Sequence, residues 1–131
     1  DNLDLAQYLN QEFLAYFAAF KGNPNLEGLP IRPAATFTHS GDSRTAWTET
    51  IRGDGIDISL TWADLQEPFL VQFGPDATPT GQHYLYSVFI PGTRAEVVVN
   101  GVRREGRVFP RDVGGRRSTM AFLAFSETWL R

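Results

Sequence analysis

Two stretches of alternating residues meet at Asp54-Gly55, and that junction restricts the chain more than any other feature of its sequence. Asp-Gly is a preferred pair for a two-residue type I′ hairpin turn. With the turn placed there, Trp47 opposes Trp62, Glu49 opposes Leu60 and Ile51 opposes Ile58. The other face receives Thr48 with Thr61, Thr50 with Ser59, and Arg52 with Asp57. A slip of one residue would mix the two sets, so the contrast between an apolar and a polar face specifies the pairing.

The rest of the chain beyond residue 35 extends this pattern. Asn100-Gly101 predicts a second hairpin, with Thr93, Ala95, Val97, Val99, Val102, Arg104, Gly106 and Val108 on one face. Arg94, Glu96, Val98, Arg103, Glu105 and Arg107 then lie on the other face, a mixed-charge ladder as on a solvated surface. Phe69–Phe73 and His83–Ile90 read as two further strands joined by a Gly- and Pro-bearing loop over 74–81. Residues 118–129 are apolar on both faces, and a strand is preferred there over a short helix.

Ahead of the sheet, residues 1–22 predict an amphipathic helix. Asp4 and Gln7 have capping-box spacing, and Leu3 with Tyr8 forms a hydrophobic staple. Leu5, Leu9, Phe13, Tyr16, Phe17 and Phe20 make one apolar stripe, while Gly22 and Pro24 supply the stop. The expected fold is therefore α+β and mainly antiparallel β, one domain over 1–131. In it the N-terminal helix packs on a strongly curved meander sheet or a small β-barrel of about seven strands. An open, curved sheet plugged by the helix is the alternative, and both place an aromatic-lined cavity between helix and sheet.

Composition narrows the function classes. With no Cys, disulfides and thiolate metal sites are excluded. The longest apolar run, Phe13–Phe20, falls far short of the roughly 20 residues a bilayer span needs, so no membrane role is expected. Absence of Cys points to a cytoplasmic protein, with an exported one as the alternative, since a start at Asp1 rather than Met is compatible with removal of a leader or a tag. The net charge of −3 is unevenly spread: residues 1–93 carry 4 basic and 11 acidic side chains, residues 94–131 carry 8 and 4. This acidity disfavours nucleic acid as a partner. An uncovered sheet edge would offer a route to a homodimer.

Glu49 and Arg104 are the informative intruders, an anion and a cation on the apolar faces of the two hairpins. Burying either is costly without a partner, so they are candidate polar anchors for a ligand held among Trp47, Trp62, Tyr84 and Tyr86. Phe69, Phe73, Phe89 and Trp129 add to the aromatic set, for which simple core packing is the competing reading. Arg111, Arg116 and Arg117 around Gly114-Gly115 form a candidate anion site, against which stands a plain Gly-Gly hairpin with solvated arginines. The two histidines, His39 and His83, make a weak metal case, and the serines match no nucleophile elbow. The leading expectation is a small-molecule-binding domain for an apolar or aromatic ligand, with no cofactor indicated. The alternatives are an enzyme using Glu49 or His83 as acid or base, and an interaction module that binds an anionic partner through the Arg-rich 103–117 region.

Overall fold

The computed structural model describes residues 3–9 and 35–131. A short helix, α1 (Leu3–Tyr8), precedes nine strands: β1 (Thr36–Gly41), β2 (Ala46–Gly53), β3 (Ile56–Leu65), β4 (Phe69–Phe73), β5 (Tyr84–Val99), β6 (Val102–Arg103), β7 (Pro110–Val113), β8 (Arg116–Thr119) and β9 (Phe122–Leu130). None of the α1 residues is buried. The remainder of the expected helix, including Phe13, Tyr16, Phe17 and Phe20, lies outside the described residues.

Seven strands form one antiparallel sheet and β7–β8 form a separate two-stranded ribbon. The expected barrel does not form: among the described residues the sheet runs β1-β2-β3-β5-β4, with β6 and β9 also on β5, and does not close. Strand β5 is shared by both halves. Its first half pairs with β4 and β9, and its second half pairs with β3 and β6. The two strands expected on either side of Pro91-Gly92 are thus a single strand of 16 residues. Proline lacks a ladder donor, which is why it reads as a break. Here it stands where β5 changes partners, and its carbonyl accepts from the Gln66 N–H at 2.8 Å.

The β2–β3 register is the expected one throughout, from Trp47↔Trp62 to Arg52↔Asp57. Its turn differs in kind. Only Gly55 of the Asp54-Gly55 pair takes a positive φ, 71°, whereas type I′ needs one at both positions. Asn100-Gly101 and Gly114-Gly115 do have both, at 51° and 76° and at 56° and 75°. The second hairpin opens early. Strand β6 ends at Arg103, so residues 104–107 are exposed instead of extending an inward-facing strand.

The tightest core lies in the β4–β5–β9 half. Phe69, Val71, Phe89 and Val113 are buried together, with Phe73 and Phe122 packed against them. Phe122 stacks on Phe89 at 4.3 Å, and β7–β8 adds Val113 as a cap. The burial pattern of β4 alternates as a one-sided strand must, leaving Leu70 66% exposed on the other face.

Residues 42–45 connect β1 to β2 and are shaped by Asp42. Its Oδ1 accepts from the Arg44 and Thr45 N–H groups at 2.7 Å each, and its Oδ2 accepts from Thr45 Oγ1 at 2.9 Å. These bonds, the two from backbone N–H first, hold the Asp42 carboxyl below its ordinary value. A depressed folded-state pKa stabilises above the ordinary aspartate range, and that contribution disappears as pH falls below about 4. Thermal melts across pH 2–6 are expected to show a shallower acid-side decline in Asp42→Asn than in the parent. Beside it, Gly41 has a φ of 93°, and a Cβ there would stand 2.1 Å from the Ala46 carbonyl oxygen. Gly41→Ala is expected to lower stability by about 2 kcal/mol or more in denaturant unfolding, since both strain and clash oppose it.

Candidate functional site

The apolar face of the β1–β2–β3–β5 half is built from cross-strand rows. Trp47, Trp62 and Ala95 form one; Ile51, Ile58 and Val99 form another. Between them runs His39, Glu49, Leu60 and Val97, so a carboxylate sits in the middle of an otherwise apolar field. Trp47, Ile51, Ile58, Leu60 and Trp62 are half-buried, and Ala95 and Val97 are exposed. The face is therefore open over part of its area.

Glu49 is held by its neighbour in alternation: Trp47 Nε1–H donates to Glu49 Oε1 at 2.6 Å. His39 stacks on the Trp47 ring at 4.7 Å and 11°. Phe125 meets the same ring edge-on at 5.7 Å and 84°. An open groove of about 320 Å³ lies here, lined by Trp47, Glu49, Leu123, Ala124 and Phe125. Sequence reasoning missed Phe125 and Leu123, because nothing in β9 alone indicates which strand of the distant hairpin it will approach.

Arg104 stands elsewhere. Its N–H donates to the Val97 carbonyl at 2.8 Å, three strand spacings from Glu49, or about 14 Å of backbone. It lines a larger concavity of about 690 Å³ with Ala95, Val97, Arg103, Glu105, Gly106 and Arg107. Arg103 in turn pairs with Glu96 at 3.1 Å. The two intruders thus flank an apolar floor from opposite sides.

The remaining candidates disperse. Trp62 belongs to the apolar face but does not line the groove. Tyr84 and Tyr86 lie on the first half of β5, opposite Leu130 and Thr128, where Tyr86 Oη accepts from Gln72 Nε2 at 3.5 Å. His83 Nδ1 shares a hydrogen bond with Thr80 Oγ1 at 2.8 Å, and its ring meets Trp129 edge-on. Neither His83 nor Glu49 has a second titratable side chain among these polar contacts, as acid–base chemistry would use. Among the described residues no group of three His, Cys, Asp or Glu could hold a metal ion, and no helix is long and apolar enough to cross a membrane.

In the β7–β8 ribbon, Gly114-Gly115 is a two-residue hairpin turn that places Val113 opposite Arg116 and Asp112 opposite Arg117. Arg111 lies over the Phe122 ring and Arg116 over the Phe69 ring, each at 5.1 Å. Two of the three arginines thus face core aromatics and serve packing whatever else they do. Comparison with protein-family models, with curated proteins and with solved structures found no match. Arg116→Ala is expected to lower unfolding stability by roughly 0.5–1 kcal/mol through loss of the stack on Phe69, as measured by denaturant titration.

Proposed function

We propose that this chain is a small-molecule-binding domain whose site is the apolar face of β1–β2–β3–β5. The observation that carries it is the row Glu49–Leu60–Val97, which sets one hydrogen-bonded carboxylate in a half-exposed apolar surface and opens onto a groove. Such a surface favours occupation by an apolar body, and a single polar group fixes orientation. Trp47 and Trp62 supply broad contact, while Glu49 and Arg104 supply polar anchors at the two ends.

A second reading has its own support in the concavity lined by Arg103, Arg104 and Arg107, which would suit an anionic partner. Binding of that kind would weaken steeply as salt rises, and occupation of the apolar face would not.

The site is tested by titrating neutral aromatic and branched alkyl compounds into the full chain and following the three Trp indole N–H resonances. Binding is expected to move Trp47 and Trp62 and to leave Trp129 in place. Leu60→Ala is expected to weaken binding about fivefold, whereas Leu70→Ala on the other half leaves it unchanged. If no compound moves Trp47 or Trp62, or if Leu60→Ala is without effect, the reading fails.

A further inference from the structure

A groove's lining states what charge it prefers. Trp47 and Phe125 stand at 84° to one another with centroids 5.7 Å apart, which makes an aromatic corner. Glu49 lines the same groove, together with Leu123 and Ala124, and among the described residues no basic side chain lines it. One carboxylate oxygen takes the Trp47 Nε1–H, and among the described residues no Arg or Lys forms a salt bridge with Glu49. An ionised carboxylate has about four acceptor positions, so most of its capacity remains for a ligand. The indole hydrogen bond and the stacked His39 ring hold the carboxylate and the corner in a fixed relation.

Aromatic rings attract cations through their negative faces, and an adjacent carboxylate adds a full opposite charge. A neutral ligand gains apolar contact and at most a hydrogen bond to Glu49, and an anion meets repulsion. We propose that the Trp47–Glu49–Phe125 corner binds an organic cation, an alkylated ammonium group, with its methyls against the two rings and its charge against Glu49. This rests on the reading of the apolar face as a ligand site and names the ligand chemistry at one end of it.

The chain carries its own control. Trp129 Nε1–H donates to Glu127 Oε1 at 2.8 Å, the same tryptophan–glutamate contact two residues apart, but neither residue lines the groove. The test titrates the full chain with tetramethylammonium chloride and, separately, with neopentyl alcohol as a neutral probe of similar shape. Sodium chloride serves as the ionic-strength blank, all at one pH. The readout is the Trp47 indole N–H resonance, assigned by its loss in Trp47→Phe.

The cation is expected to bind about tenfold more tightly than the alcohol. Glu49→Gln, which keeps an acceptor for the indole, is expected to narrow the preference severalfold, and Glu127→Gln to leave it intact. If both probes bind the parent equally, the cation inference is overturned while the apolar site stands. A cation preference undiminished in Glu49→Gln overturns it as well. If neither probe moves Trp47, this inference is overturned, and the apolar site falls with it only if the neutral aromatic and branched alkyl compounds also leave both Trp47 and Trp62 unmoved.

Discussion

Everything in this sheet depends on β5 serving two sets of partners. Over residues 84–91 it pairs with β9, and with β4 over 85–89; from Gly92 onward it pairs with β3, joined by β6 at Val98 and Val99. The changeover requires backbones to crowd. A Cβ on Gly92 would lie 3.2 Å from the Ala63 carbonyl oxygen and 3.4 Å from that of Ala121. The Gly92 N–H donates to Ala121 at 2.7 Å, and its carbonyl accepts from Thr119 Oγ1 at 2.8 Å. Glycine is needed there for space, and the neighbouring Pro91 costs no ladder bond that the fold requires. Because the strand is continuous, the buried Phe-rich half and the more open Trp-bearing half share one backbone.

What could be read from the sequence follows from how local each determinant is. The pairing of β2 with β3 was legible to the residue, since the turn and the alternation both lie within eighteen consecutive positions. The strand character of β9, the β7–β8 ribbon and the loop after β4 were legible for the same reason. Closure into a barrel was not, because alternation assigns faces and says nothing about whether the two outermost strands meet. Nor was the early end of β6: the Val and Arg alternation continues past Arg103, while the pairing stops.

The candidate site was half legible. Glu49 stands among tryptophans as alternation required, and the groove contains it. The aromatic partner of Trp47, Phe125, comes from 78 positions downstream, and no local pattern could supply that contact. The arginines show the opposite case. Clustered in sequence, Arg111 and Arg116 are drawn individually onto Phe122 and Phe69, so density along the chain did not become one patch of free charge.

Asn100 has a consequence for how the molecule opens. Its side-chain Oδ1 takes the Asp57 N–H at 2.8 Å, its own N–H reaches the Asp57 carbonyl at 2.7 Å, and its Nδ2 reaches the Gly55 carbonyl at 3.4 Å. One residue therefore clasps the tips of two hairpins that are far apart along the chain. Fraying at either tip must undo the other, so the two neighbouring turns breathe in step, and solvent reaches their amides through a shared opening event.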